Sequence, residues 1–158
     1  MSKEKVVLLI FGEGGHKQEM KLLYEQLSMS SLTFITIGPS PLSQSLKHYS
    51  LGDVRHKKNR IKSFFMALIG VLQSSLLIAK LCLIHKVTGC ISTGPGISII
   101  PSILLRLLGK KVIFIETFCR FYTRSMTGRI MNIISSEFWV QNQEQTQLYK
   151  NAKFCGRL

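Results

Sequence analysis

The sequence predicts an α/β fold in which a mainly parallel sheet carries helices on both faces. Three features point there. Short apolar runs rich in branched residues alternate with amphipathic stretches, two of those runs end in glycine-rich turns, and no internal repeat or low-complexity linker interrupts the 158 residues. A chain of this length is expected to form one domain over 1–158 and to bury roughly two-thirds of its extended-chain surface on folding.

Residues 6–11 form a continuous apolar run ending in glycines, as expected of a first strand buried on both faces. From 16 to 27, Met20, Leu23, Tyr24 and Leu27 recur at three- and four-residue spacing with charges between them, which predicts an amphipathic helix. Residues 32–37 read as a second strand closed by Gly38-Pro39, followed by a polar segment with room for a short helix and a weak third strand near 52–56. A long helix is expected over 61–84, then a strand over 87–92 and a second glycine turn, Thr93-Gly94-Pro95-Gly96. Ser98 stands where it would cap a helix running to Leu108, with Pro101 in the first turn and Gly109 as the stop. A strand over 111–115, a polar turn over 116–124, a helix over 126–134, a strand over 138–141 and a short helix over 144–149 complete the chain. In such a fold the crossovers are right-handed and ligands sit at the carboxyl ends of the strands, the edge on which both glycine turns fall.

Hydrophobic residues make up 46% of the chain and the mean hydropathy is positive, so some apolar surface is expected to face something other than water. With 21 Lys and Arg against 8 Asp and Glu, the formal charge of +13 attracts polyanions, among them anionic lipid surfaces and nucleic acid. Cys82, Cys90, Cys119 and Cys155 form no C-x-x-C pair and have no neighbouring His at zinc-site spacing, so buried, reduced thiols are expected rather than a metal site. Met1-Ser2-Lys3-Glu4-Lys5 leads into the first strand without the cleavage region of a secretory signal, an expectation of a cytoplasmic location.

Gly12-Glu13-Gly14-Gly15-His16 opens a helix, so its backbone N–H groups are candidates for holding a phosphate or diphosphate; a tight turn needing glycine on steric grounds is the other reading. The dinucleotide fingerprint would place a glycine at Lys17 and an acidic residue where Ile37-Gly38-Pro39 stands, and a Walker loop would need Gly-Lys-Ser/Thr. Neither pattern is present, and no cofactor is expected. His16 is a candidate general base at the helix start, or a hydrogen-bonding residue there. Thr93, Gly94 and Gly96 repeat the arrangement after a later strand. Glu116 and Arg120 follow a third strand at the same edge; they either pair with each other, or Arg120 meets a phosphate while Glu116 binds a sugar hydroxyl or acts as base.

Arg55, Lys57, Lys58, Arg60 and Lys62 crowd one short run that leads into residues 63–79, which carry no charge. Phe64, Phe65 and the Leu and Ile residues after them surround most of the expected helix, but Gln73-Ser74-Ser75 interrupts its middle. One face is therefore expected to cover the sheet while another meets lipid, with shallow insertion favoured over spanning. Nucleic-acid binding is the weaker reading of the charge, because the basic run lacks interleaved aromatics.

Gly14-Gly15-His16, the segment 92–96 with its Leu-rich helix, Glu116-Thr117-Phe118-Cys119-Arg120, Ser125-Met126-Thr127-Gly128-Arg129, Val140-Gln141 and Gly156-Arg157-Leu158 together resemble one family. It is the membrane-anchor subunit family of the dolichol-pathway N-acetylglucosaminyltransferase, with its bacterial PssD-like counterparts in capsule and exopolysaccharide synthesis. The resemblance covers nearly the whole chain. It implies a Rossmann-like domain equivalent to the amino-terminal half of a MurG-type GT-B glycosyltransferase, with Gly12, Gly14, Gly15 and His16 in the first acceptor loop and 94–96 in the second. A lipid-diphosphate acceptor, a separate subunit carrying the nucleotide-sugar site, and attachment at the cytoplasmic face of a membrane are implied with it. The eukaryotic members begin with a membrane helix absent here, which favours a bacterial origin and leaves anchoring to the 55–84 region. Where many members read Val-Gln-Trp-Pro, this chain has Val140-Gln141-Asn142-Gln143. A non-catalytic scaffold that recruits the enzyme is the competing reading.

Overall fold

Alternating apolar and amphipathic segments build the sheet the sequence predicts. The computed structural model describes residues 3–43, 46–51 and 60–158, with backbone alone over 60–67. In chain order the elements are β1 (Lys5–Phe11), α1 (Gly15–Leu27), β2 (Thr33–Gly38), β3 (Lys47–Ser50), α2 (Arg60–Ile84), β4 (Lys86–Gly94), α3 (Ile99–Leu107), β5 (Lys111–Ile115), α4 (Met126–Ile134), β6 (Glu137–Val140) and β7 (Ala152–Phe154). Short 3-10 turns occupy Gly96–Ser98 and Gln143–Gln147. Among the described residues the strands form one seven-stranded sheet in the order β3-β2-β1-β4-β5-β6-β7, and every neighbouring pair is parallel.

That order has a consequence for function. The chain leaves β1 toward β2 on one side, then returns through α2 to β4 on the other, so the connections diverge between β1 and β4. Such a switch point opens a crevice beyond the carboxyl ends of the two strands. Both glycine turns sit there.

Side chains of β1 alternate between two cores. Val6, Leu8 and Ile10 join Ile78 and Leu81 of α2, Leu105 of α3 and Met131 of α4, whereas Leu9 and Phe11 join Met20 and Leu23 of α1. Coverage on both faces is why the central strand reads as an unbroken apolar run. α2 turns Ser74, Ile78 and Leu81 inward, and the Ser74 hydroxyl donates to the Gly70 carbonyl at 2.6 Å. Its outer surface is largely apolar, with Leu68, Ile69, Leu72, Leu76 and Leu83 all exposed beside Gln73 and Lys80. Among the described residues no helix is long and apolar enough to cross a membrane.

Several boundaries differ from the sequence reading. The third strand is Lys47–Ser50, paired with β2 from Ile35↔Lys47 to Gly38↔Ser50; the expected 52–56 lies outside the described residues. A short polar edge strand gives no apolar run to find. No helix occurs among the described residues between β2 and β3. Ser98 holds the N-cap position of α3 with helical φ and ψ, and its hydroxyl donates to the Pro95 carbonyl instead of capping, because the Gly96–Ser98 turn already leads into the helix. The helix expected over 144–149 is a 3-10 turn, and β7 was not expected: only its first residue is partly buried.

Leu8 and Leu9 are both fully buried, on opposite faces. Replacing either with Ala is therefore expected to destabilise the chain by about 2–5 kcal/mol. Urea unfolding checks this, and a cost confined to one of the two would contradict a sheet covered on both sides.

Candidate functional site

At the switch point the two glycine turns touch. A Cβ on Gly12 would run into the Pro95 ring, so this close approach requires glycine at position 12. His16 Nδ1 lies 2.7 Å from the Thr93 carbonyl, and the Thr93 hydroxyl donates to the His16 carbonyl at 2.8 Å. A carbonyl only accepts, so in the neutral imidazole the proton is on Nδ1 and Nε2 keeps its lone pair. The His16 side chain is 32% exposed, open to a substrate group.

Gly14 precedes α1 at φ 67°, a conformation suited to glycine, and no side chain caps the helix start. Gly14 and Gly15 are exposed, with open space where a Cβ would stand. The first-turn amides of α1 are thus left for an outside acceptor, and the helix dipole favours an anion there. Beside them lies a cavity of about 80 Å³ lined by Gly12, Glu13, Pro39, Pro95 and Ile97. Lys17 Nζ donates to Ser40 Oγ at 2.7 Å, and Ser40 Oγ donates to Glu13 Oε1 at 2.5 Å, tying the turn after β1 to the turn after β2. A larger depression of about 800 Å³ lies at the opposite edge, among Lys3, Lys5, His85, Lys86 and Lys110, away from both turns.

Two carboxylates are buried under this edge. Glu116 accepts from the Ser125 hydroxyl at 2.8 Å and from Tyr149 OH at 2.7 Å on Oε2, and from its neighbour's amide, Thr117 N, at 3.2 Å on Oε1. Ser125 in turn caps α4 through Gly128 N at 2.7 Å. Glu116 therefore anchors the start of α4 and is buried, not presented to the crevice. It does not pair with Arg120, whose guanidinium is exposed and has no hydrogen-bond or ion-pair partner among the described residues. Glu19, on α1, accepts on Oε1 from Thr117 Oγ1 at 2.7 Å, Phe118 N at 3.1 Å and Gln141 Nε2 at 3.4 Å. Burial pushes its carboxyl above the usual range, opposed by those hydrogen bonds and by His16.

The loop over 116–120 is clamped from β6 and the turn after it. Gln141 donates to the Glu116 carbonyl, Asn142 to the Phe118 carbonyl at 2.7 Å, and Gln145 to the carbonyls of Thr117 and Arg120 at 2.8 and 2.6 Å. Gln141 also accepts from Leu158 N, and Arg157 stacks over the Phe118 ring. Asn142, at the family departure Val140-Gln141-Asn142-Gln143, thus has a defined task in this chain.

The structure brings Gly12, Gly14, Gly15, His16, Thr93, Gly94 and Gly96 to one edge, with Arg120 on the loop after β5 of that edge. Arg55, Lys57 and Lys58 lie outside the described residues, and of Arg60, Lys62, Phe64 and Phe65 only the backbone, at the start of α2, is described. The expectation of buried thiols is corrected. Cys90 is buried and its thiol is pushed up to about 12 by burial, but Cys119 and Cys155 are exposed because they fall on the loop after β5 and beyond the edge strand β7. No group of His, Cys, Asp and Glu among the described residues could hold a metal. In the sequence, Gln141 and Asn142 are marked only through the family resemblance and its departure, with no contact foreseen, and Glu19, Gln145 and Tyr149 are given no role. Glu19 looks like any charge on an amphipathic helix, although its place three residues after His16 puts both on one face.

Over residues 7–158 the chain matches the family described as "Oligosaccharide biosynthesis protein Alg14 like". It is 25% identical to the mouse UDP-N-acetylglucosamine transferase subunit ALG14, over 96% of this chain and 82% of that protein. It is 24% identical to the Kluyveromyces lactis protein of the same name, over 99% and 79% respectively. Among solved structures, Acinetobacter baumannii MurG matches 98% of the chain at 14% identity and a TM-score of 0.67. Staphylococcus aureus MnaA with UDP matches 98% at 11% identity and a TM-score of 0.70. The chain spans 44% of each of those two structures, and the shared fold is the Rossmann-like amino-terminal half of a GT-B protein.

Burial first, and then the Glu116 carboxylate, push the Tyr149 phenol from 10 up to about 12. Its folded value lies above its unfolded one, so the stabilisation it carries is complete below pH 10 and fades as pH rises toward 12. Tyr149→Phe is expected to cost about 1–3 kcal/mol at neutral pH. Thermal melts across that alkaline window should then show a smaller loss in the variant than in the wild type.

Proposed function

The chain belongs to the Alg14-like family of oligosaccharide biosynthesis proteins, and we propose that it is the acceptor-side subunit of a two-component glycosyltransferase. In this reading it binds a lipid-diphosphate-linked acceptor in polysaccharide or oligosaccharide assembly, at the cytoplasmic face of a membrane. A second subunit carries the site for the UDP-sugar. The names of the relatives as transferase subunits support this, and so does a fold spanning 44% of a MurG chain.

One observation carries the proposal: the amides opening α1 are uncapped, beside His16, at the switch point of a parallel sheet. The acceptor diphosphate lies against the amides of Gly14 and Gly15 and near 93–96, with Arg120 supplying positive charge. His16 Nε2 takes the proton of the acceptor hydroxyl as that oxygen bonds to the anomeric carbon of the donor sugar, and the nucleoside diphosphate leaves with the electrons of the broken bond. Glu116, buried at the base of α4, holds the 116–120 loop instead of meeting substrate. The domain as a whole, 1–158, attaches to lipid through the basic run 55–62 and the apolar outer face of α2, where Leu72 and Leu76 are more than half exposed.

The test uses this chain copurified with its nucleotide-sugar-binding partner. His16→Ala should lower kcat by about 10²–10⁴-fold, while Arg120→Ala should chiefly raise KM for the lipid acceptor. Unchanged turnover in His16→Ala would favour the scaffold reading, and transfer by this chain alone would contradict the division into subunits. Leu72→Asp with Leu76→Asp should release the chain from anionic vesicles in a flotation assay without altering its fold by circular dichroism.

A further inference from the structure

Glu19 has a feature that loop fastening does not explain. Only 1% of the residue is exposed, and all three of its donors converge on Oε1, whereas Oε2 has no hydrogen-bond partner among the described residues. A buried carboxylate oxygen without a donor is costly, and cases in native structures call for a reason. Oε2 lies 3.8 Å from His16 Nδ1.

We infer that Glu19 is the positioning residue for His16, holding the Nδ1–H form of the imidazole and facing the positive charge that forms when Nε2 takes a proton. Nδ1–H sits between two acceptors, the Thr93 carbonyl at 2.7 Å and Glu19 Oε2 at 3.8 Å, so the proton stays on that nitrogen and the opposite nitrogen stays free. In the resting state the carbonyl holds the bond. When Nε2 gains the substrate proton, the positive charge spreads over the ring and the carboxylate is close enough to stabilise it, remaining ionised itself. The donors on Oε1 favour that ionised form against the effect of burial. Groups packed on Glu19 from the 117–118 segment and the residue after β6 are Thr117, Phe118 and Gln141, all neutral; His16 is the one titratable side chain facing it among the described residues.

This inference rests on His16 being the base, and the experiment separates the two. In the copurified pair, Glu19→Gln keeps an Oε1 acceptor but removes the charge. It should lower kcat roughly tenfold with little change in acceptor KM, and move the acid limb of the kcat/KM profile to lower pH, because the imidazole loses the anion that favours its protonation. In the His16→Ala background the same change should have no further effect on kcat. If Glu19→Gln does not fold, as judged by circular dichroism, Glu19→Asp replaces it and should move the acid limb in the same direction by less. A lowered rate with the acid limb in place, and an equal cost with or without His16, would make Glu19 a loop fastener only and overturn the inference while leaving the base intact. Full turnover in His16→Ala would overturn both.

Discussion

The contact between Gly12 and the Pro95 ring is the constraint around which the sheet's carboxyl edge is arranged. β1 and β4 are neighbours whose connections run in opposite directions, and such a parting would otherwise leave a gap filled by water. Here the two turns close on each other, and the reciprocal bonds between His16 and Thr93 lock them in one arrangement. The imidazole is thereby oriented by a strand end it does not belong to. A side chain held from two elements of a rigid sheet keeps its geometry better than one borne on a free loop.

The two buried carboxylates show how surroundings divide similar groups between different tasks. Glu116 accepts from Ser125, Tyr149 and the Thr117 amide, neutral donors that take the place of water around the carboxylate and fix the start of α4. Glu19 is satisfied on one oxygen alone, and the other faces the His16 imidazole at 3.8 Å. Between them runs the 116–120 loop, whose carbonyls are taken up by Gln141, Asn142 and Gln145. Neutral amides suit this work, since they donate and accept without adding a further charge to desolvate.

The layering of the fold was readable because buried parallel strands are nearly all apolar, as in 111–115, and because helices show a three- to four-residue apolar period, as in 126–134. Both glycine turns were legible for the same reason, as breaks between a strand and a helix. Edge strands β3 and β7 were not, since a polar strand paired on one side carries no hydrophobic period. Within the site, His16 stood out by its place beside glycines. Glu19 did not, and the motif Val140-Gln141 carried no hint of its partner, because the two meet across more than a hundred residues of chain, which local spacing does not encode. Glu116 was noticed for its position at a strand end, but position alone does not tell whether a carboxylate faces the crevice or the core.

The outer face of α2 bears on how the chain behaves in solution. Of the three polar residues that interrupt the sequence, Ser74 points inward and satisfies its hydroxyl within the helix, and Ser75 also turns its hydroxyl back onto the helix, to the Val71 carbonyl, so only Gln73 is left to wet the surface. What remains outside is a ridge of leucine and isoleucine on a protein of high positive charge. Mutual repulsion keeps copies apart at low ionic strength, and added salt weakens it while strengthening the attraction between the ridges. Solubility should therefore fall as salt rises, and detergent or bound lipid is the natural remedy during purification.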